Sequence, residues 1–122
     1  MLSDHREFPA KPECAQEARS HALEMANRWG VTAAGLASVV TELVVNAIVH
    51  AGGRFTLSLC VDHGAFIVEV ADPSTNLPET RTPANDDPQG RGLVIVEAFS
   101  RDWGVRAGGG GKVIWAELEV GS

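Results

Sequence analysis

The chain has 122 residues, 44% of them hydrophobic, and carries a formal net charge of -6 at pH 7. This length and composition suit one compact domain, which we place over residues 1–122. Nonspecific affinity for nucleic acid comes from clustered Lys and Arg, which this acidic chain does not concentrate anywhere, so direct DNA or RNA binding is not expected. The sequence shows no signal-peptide pattern and no apolar run of bilayer length, so the default expectation is a cytoplasmic protein without membrane contact.

The first third of the chain predicts an irregular start followed by a helix. Residues 1–12 are polar and contain prolines, which favours an irregular segment with at most a short edge strand around residues 6–8. Over residues 13–29, Ala, Leu and Met recur at helical spacing, and Gly30 is a plausible helix stop.

A second helix is predicted over residues 33–50, with Thr32 as its N-cap. Its apolar positions recur at helical spacing and predict a core-facing side formed by Leu36, Val40, Leu43 and Ala47.

Two β-rich runs follow, over residues 55–61 and 66–71, and the Asp-His-Gly-Ala turn between them predicts an antiparallel hairpin. Residues 73–89 are rich in Pro, Thr, Asn and Asp and nearly lack large apolar side chains. A loop of that length inside a small domain is typically a lid or disordered.

The last third predicts a short helix over residues 93–99, opened by Gly90-Arg91-Gly92. A strand near residues 103–106, a four-glycine turn at 108–111 and a strand over 113–120 complete the chain. This order of elements predicts an α+β fold, a two-layer sandwich with helices on one face of a mostly antiparallel mixed sheet.

A polar stripe runs along the second predicted helix. Ser38, Glu42, Asn46 and His50 follow one another at steps of four residues, so neighbouring members share a face. A carboxylate is rarely buried without a partner, and a stripe of this kind on an apolar helix indicates a lined cavity more than a dry core.

Two further motifs offer binding chemistry, each with a plain structural alternative. Asp72 ends a predicted strand before Pro73-Ser74 and either accepts a hydrogen bond from a ligand amino group or closes a local turn. Glycines on both sides of Arg91 at a helix start either present backbone N–H groups to a phosphate or form a hinge.

Taken together and in this order, the motifs resemble the N, G1 and G2 boxes of the GHKL (Bergerat-fold) ATPases. The segments TELVVNAIVHAGG (41–53), VEVADPS (68–74), GRGLVIVEAFSRDWGV (90–105) and GGGGKVIWAEL (108–118) are similar to those of the stand-alone anti-sigma-factor serine/threonine kinases. The resemblance covers nearly the whole chain and implies the GHKL fold with ATP and Mg2+ as cofactors.

The resemblance also implies roles for individual residues. Asn46 would coordinate the Mg2+ ion and Glu42 would act as general base, with a plain supporting role as the alternative for Glu42. Asp72 would accept a hydrogen bond from the adenine amino group. Gly90 and Gly92 would bring backbone donors to the phosphates, and residues 76–89 would form a short ATP lid.

Some positions are less defined by the resemblance. Ser74 stands where the G1 box usually has glycine, Leu93 follows the G2 glycines, and Arg91 either clamps a phosphate or stays solvated. His50 lies near the phosphates or bonds to carbonyls at the helix end. The family often has threonine after the Gly-Lys of the last hairpin, where its hydroxyl supports the adenine site, and this chain has Val113, which would weaken nucleotide binding.

The function implied by the resemblance is an ATP-dependent serine/threonine kinase. It would phosphorylate a small anti-anti-sigma antagonist protein and sequester a sigma factor, as a monomer or a homodimer. The alternatives are a catalytically weak or inactive protein-binding module of the same fold, and the catalytic domain of a sensor histidine kinase. For the last of these, His21 is the one candidate acceptor.

Overall fold

A computed structural model describes residues 2–51, 53–73, 88–108 and 110–121, with side chains in the last helix from residue 93 onward. Within these ranges the helices are α1 (Glu13–Arg28), α2 (Leu36–Ala51) and α3 (Pro88–Phe99). The strands are β1 (Leu2–Pro9), β2 (Thr32–Ala33), β3 (Arg54–Asp62), β4 (Ala65–Asp72), β5 (Asp102–Gly108) and β6 (Gly111–Gly121). None of these helices is long and apolar enough to cross a membrane.

The strands form one sheet in which β1, β3, β4 and β6 are neighbours in that order. Both β5 and the short β2 pair with β6. Every pairing in the described part of the chain is antiparallel. Helix α2 packs on β3 and β4 and contacts both other helices, so the predicted α+β sandwich is confirmed, although its sheet shows no parallel pair in these ranges.

Helix α2 forms the centre of the core because its apolar residues recur at intervals of three and four. The predicted core-facing side is confirmed, and two valines extend it; the buried set is Leu36, Val39, Val40, Leu43, Val44 and Ala47. On the sheet, every second residue of β3 and β4 faces these helices. The buried residues there are Phe55, Leu57, Leu59, Phe66, Val68 and Val70.

The predicted hairpin between β3 and β4 is also confirmed. Asp62 pairs with Ala65, and the two residues between them have positive φ, 49° at His63 and 76° at Gly64. Two successive residues with positive φ form the type of turn that matches the twist of an antiparallel hairpin.

The N-terminus differs from the sequence prediction. Residues 2–9 form a complete edge strand, where an irregular segment with a short strand at residues 6–8 was expected. Most side chains of β1 are exposed and only Phe8 is buried, so the strand has no alternating hydrophobic pattern. It is held instead by its ladder to β3 and by the stacking of Phe8 on Phe55, with ring centroids 5.4 Å apart.

The predicted end of α1 at Gly30 is confirmed. Gly30 has φ +69° and donates its N–H to Asn27, while Val31 donates to the carbonyl of Ala26. These two bonds satisfy carbonyls in the last turn of the helix, and the left-handed conformation at position 30 favours glycine.

The predicted N-cap of α2 is wrong. Thr32 and Ala33 belong to β2, where they pair with Gly121 and Val120 of β6. The helix begins three residues later, at Leu36, directly after Gly35, whose φ is +80° and whose carbonyl accepts the first helical bond, from Val39. The sheet pairing of β2 therefore determines where α2 starts.

Helix α3 begins at Pro88, five residues before the predicted start. Proline is well suited to a first helical position, because its fixed φ is helical and its missing N–H would have no partner there. The expected lid over residues 73–89, including the segment 76–89, lies largely outside the described residues.

Candidate functional site

The polar stripe of α2 places Glu42 and Asn46 one helical turn apart on the same side of the helix. Asn46 is 7% exposed, and its Oδ1 atom accepts no hydrogen bond from the described residues. Glu42 is half-buried. A buried polar atom left without a partner costs about 1–3 kcal/mol, so a carboxamide oxygen at this depth with no partner among the described residues indicates a binding position.

His50 continues the stripe toward the end of α2. Its Nε2 atom is buried and likewise has no hydrogen-bond partner among the described residues. The prediction that His50 bonds to carbonyls at the helix end therefore finds no support at this nitrogen. Ser38, at the other end of the stripe, is exposed and lines a separate groove beside Phe99.

Asp72 ends β4 and is 6% exposed. Directly opposite it on β6 is Lys112, which is 2% exposed. Both side chains face the helices, since the buried residues of each strand alternate with less buried ones. The Lys112 Nζ atom lies 3.8 Å from Asp72 Oδ2, which forms a buried ion pair at the end of the sheet.

Gly111 allows β6 to start this close to the end of β4. A Cβ atom at this position would lie 2.3 Å from the carbonyl oxygen of Asp72 and 3.1 Å from the Cα atom of Pro73. Neither of these is the end of a flexible side chain, so a larger residue would push the strands apart. Glycine at 111 thus sets the position of the Asp72–Lys112 pair.

The register shows where Val113 lies relative to Asp72. This residue pairs with Ala71, one position away from the Asp72–Lys112 pair, and its side chain lies on the other face of the sheet. A hydroxyl at position 113 would therefore not point toward the Asp72 carboxylate. On the side of the sheet that faces the helices, the residue beside Asp72 is Lys112, while Val113 lines a cleft at this end of the sheet, so weaker nucleotide binding stays a prediction.

The cleft lies over this end of the sheet. Its walls come from the start of β3, the end of β4 and the start of β6, and they include residues from both faces of the sheet: Phe55, Asp72 and Lys112 from the side of the helices, and Thr56, Ala71 and Val113 from the other. Glu42 and Asn46 are not part of its lining. The structure thus shows two polar positions, one on α2 and one on the sheet, and the cleft belongs to the second.

The remaining predicted site residues lie in or before α3. Gly90 occupies the third position of the helix, where the backbone N–H has no partner within the helix. Gly92 follows in the same helix, and the side chain of Arg91 lies outside the description, as does Ser74. Leu93 is 8% exposed and is a buried apolar residue of α3.

Sequence reasoning missed Lys112 as a site residue. Its signal was present in the alternation of β6, because Lys112 occurs two residues before Ile114 and continues the series of buried positions Ile114, Ala116 and Leu118.

Asn46 fits the expected magnesium site in its chemistry. Mg2+ prefers oxygen ligands and is commonly held by one or two protein groups together with phosphate oxygens and water. The buried Oδ1 atom of Asn46 is such an oxygen, and no described group competes for it. Domains of the GHKL type bind ATP, typically with Mg2+.

Comparison with known proteins identifies the family of the domain. The family model described as "Histidine kinase-like ATPase domain" matches residues 8–118. A search of curated proteins finds no significant match.

Among solved structures, the chain is similar to the crystal structure of the RsbU and RsbW domains of Rv1364c from Mycobacterium tuberculosis, with a TM-score of 0.72 and 18% identity. The match covers 98% of this chain and 33% of that one, so the chain spans about a third of its length. It is also similar to the Acinetobacter baumannii histidine kinase AdeS, with a TM-score of 0.54, 17% identity, and coverage of 98% of this chain and 68% of that one. At these identities the two structures support the fold alone. The family match over residues 8–118 shows that the chain belongs to the histidine kinase-like ATPase domain family, of the GHKL type.

Proposed function

We propose that this domain is an ATP- and Mg2+-dependent serine/threonine protein kinase that acts on a small antagonist protein. The observation that carries the proposal is the buried Asn46 Oδ1 atom without a partner, one turn after Glu42. Asp72 is buried at the end of β4, and the N-terminus of α3 belongs to the same domain. The chain therefore has groups suited to the metal ion, the attacking substrate hydroxyl, the adenine base and the phosphates of ATP.

Each group has a defined part in phosphoryl transfer. Asn46 Oδ1 would hold Mg2+, which neutralises charge on the phosphates when bound. The backbone N–H of Gly90, at the positive end of the α3 dipole, would donate to a phosphate oxygen. Asp72 would accept from the adenine amino group.

The transfer itself needs little covalent chemistry from the protein. A substrate hydroxyl attacks the γ-phosphorus, the bond to the β,γ-bridging oxygen breaks, and ADP leaves. Glu42 would take the hydroxyl proton as general base. Catalysis of this kind comes mainly from positioning and charge neutralisation, which suits a domain whose polar groups lie on one rigid helix and one sheet end.

His21 does not support a histidine kinase of the acceptor-bearing kind. Its Nε2 atom lies 2.5 Å from Asp4 Oδ2, and its Nδ1 atom lies 3.5 Å from Arg6 Nη1. The side chain is 11% exposed. Both ring nitrogens are therefore engaged in tying α1 to β1, which favours hydroxyl acceptors on a second protein.

The partners of the proposed kinase are a small anti-anti-sigma protein as phosphoryl acceptor and a sigma factor as the protein it sequesters. Support comes from the motif resemblance and from the similarity to a structure that contains an RsbW domain. The proposed setting is the cytoplasm, with no direct contact with nucleic acid.

Binding of Mg-ATP is tested by isothermal titration with the unaltered protein, Asn46→Ala and Ser38→Ala. Asn46→Ala removes no hydrogen bond to Oδ1 from the described residues, so the variant should stay folded. Ser38 is exposed on the same helix and provides the matched control. We expect the heat signal to survive in Ser38→Ala and to be lost in Asn46→Ala; equal binding by all three proteins would contradict the metal site.

Kinase activity is tested with γ-labelled ATP and recombinant anti-anti-sigma proteins encoded in the same genome. Serine and threonine phosphates survive acid, whereas histidine phosphate is lost. We expect acid-stable label on an antagonist and none with Glu42→Gln, which should still bind Mg-ATP. Antagonist binding that is independent of ATP, with no label transferred, would instead identify an inactive binding module.

A further inference from the structure

Lys112 is an unusual residue for the interior of a small domain. Lysine is almost never fully buried unless it is paired, and the side chain of Lys112 is completely inaccessible and lies beside a carboxylate. Removing an ammonium and a carboxylate from water costs several kcal/mol for each ion, and their attraction often does no more than balance that cost. Stability alone therefore gives a weak reason for the Lys112–Asp72 pair.

The sheet fixes the geometry of this pair. Asp72 and Lys112 occupy directly opposed positions on adjacent strands and face the same side of the sheet. Their charged atoms are 3.8 Å apart, and Gly111 keeps the two strand ends close together. A hydrogen-bond acceptor and a hydrogen-bond donor are thus held side by side, and both residues belong to the wall of the cleft at this end of the sheet, with their side chains beneath its surface.

An acceptor beside a donor matches the Watson–Crick edge of adenine. That edge presents the 6-amino group, a donor, next to ring nitrogen N1, an acceptor, and proteins read such edges by hydrogen bonds. A carboxylate can only accept and an ammonium can only donate. Guanine held in the same orientation presents a carbonyl at position 6 and an N–H at N1, which would place acceptor against acceptor at Asp72 and donor against donor at Lys112.

We propose that Lys112 is a base-recognition residue that donates a hydrogen bond to N1 of adenine while Asp72 accepts from the 6-amino group. The inference rests on the proposed ATP site and adds to it a second polar contact and a reason for selecting adenine over guanine. Because the pair is shielded from bulk water, hydrogen bonds to it are stronger than they would be at the surface. A lysine that only balanced the charge of Asp72 would be indifferent to the atom at position 1 of the base.

The test compares nucleotide analogues on the unaltered protein, so it does not depend on the folding of a variant. Isothermal titration is run with Mg2+ and ATP, 1-deaza-ATP, 7-deaza-ATP or GTP. In 1-deaza-ATP a C–H group replaces N1, and the loss of a hydrogen bond to a charged donor should weaken binding about tenfold or more. 7-Deaza-ATP is altered at a distant ring nitrogen and should bind like ATP, whereas GTP should bind more weakly than ATP.

Lys112→Met supplies the second arm, with circular dichroism as the check on folding. This variant should bind ATP and 1-deaza-ATP equally, because the donor is gone. ATP binding by the unaltered protein with no preference over 1-deaza-ATP would overturn the role of Lys112 and leave the ATP site standing. GTP binding as tight as that of ATP would overturn the adenine assignment, and absence of Mg-ATP binding would overturn the proposed function and this inference with it.

Discussion

Replacement of Gly35 by alanine should separate two costs that the fold places at one residue. Gly35 precedes α2 and has φ +80°, a left-handed conformation that costs a residue with a side chain about 1–2 kcal/mol. An added Cβ atom would also lie 2.3 Å from Cγ and Cδ1 of Phe99, the last residue of α3. Relieving such a contact typically costs about 1–3 kcal/mol more.

Gly30 is the matched control, because it also has positive φ, +69°, but an added Cβ atom would meet nothing within 4 Å. Chemical denaturation followed by circular dichroism should therefore show a loss of about 1–2 kcal/mol for Gly30→Ala and about 2–5 kcal/mol for Gly35→Ala. Phe99 is 46% exposed, so Phe99→Ala alone should cost little. In the Gly35→Ala/Phe99→Ala double variant the ring is gone but the Cβ atom of residue 99 stays 2.7 Å from the added Cβ, so the effect of the alanine at 35 should fall part of the way toward that seen at Gly30.

Equal losses at Gly30 and Gly35 would refute this reasoning, as would a double variant that recovers nothing. The first result would mean that the contact with Phe99 relaxes without cost. The second would mean that the strain lies in the backbone before α2. Either outcome would show that close approach between the start of α2 and the end of α3 is not required for stability.

Three further predictions concern stability and thiol chemistry. Leu57→Ala should lower the free energy of unfolding by about 2–5 kcal/mol, since Leu57 is fully buried, while Leu2→Ala, at a residue 44% exposed, should change it by about 0.5 kcal/mol or less in denaturant titrations. A double-mutant cycle of Asp4→Asn and His21→Gln should give a coupling energy of about 1 kcal/mol, because their contact joins β1 to α1; additive effects would show that the contact contributes nothing. Burial raises the pKa of the Cys60 thiol, with a smaller contribution from the carboxylate of Asp62, so Cys60 should react with iodoacetamide more slowly than free cysteine at neutral pH. Because the thiol has the lower pKa in the unfolded chain, the unfolded chain loses the thiol proton first as the pH rises, and the free energy of unfolding should fall over the alkaline range between the two pKa values. This fall should be less steep in Cys60→Ser.

The elements predicted most accurately are those in which hydrophobic spacing alone determines the structure. Helix α2 and the β3–β4 hairpin each present a regular buried series, at intervals of three and four residues or of two. The end of α1 at Gly30 was also predictable, because a left-handed residue with a specific pair of hydrogen bonds favours glycine.

The elements that were mispredicted depend on partners distant in sequence. Strand β1 has one buried residue, Phe8, and exists because β3 offers it a ladder of backbone hydrogen bonds. Thr32 has the chemistry of an N-cap, yet pairing of β2 with Gly121 takes it into the sheet. No local pattern around residues 2–9 or 32–33 records those pairings.

The candidate site shows the same division. Glu42 and Asn46 were identified from a spacing of four residues within one helix, and Asp72 from its position at a strand end. The alternation of β6 indicates that Lys112 is buried, but it does not show that Lys112 lies beside Asp72, because that position depends on the register between β4 and β6. A shift of one residue in that register would have put Val113 there instead.

The buried polar residues in the described part of the chain are Asn46, Asp72 and Lys112, and all three are assigned to the proposed nucleotide site. The Oδ1 atom of Asn46 is buried without a described partner, and Asp72 and Lys112 form an ion pair that a well-packed apolar pair of similar volume could replace with little loss of stability, or with a gain. These costs fall on the end of the sheet and on one side of α2, while the rest of the core is apolar. A fold selected only for stability would have little reason to keep these groups in its interior. Their burial is therefore an argument, independent of family membership, that these two positions of the domain bind a polar ligand.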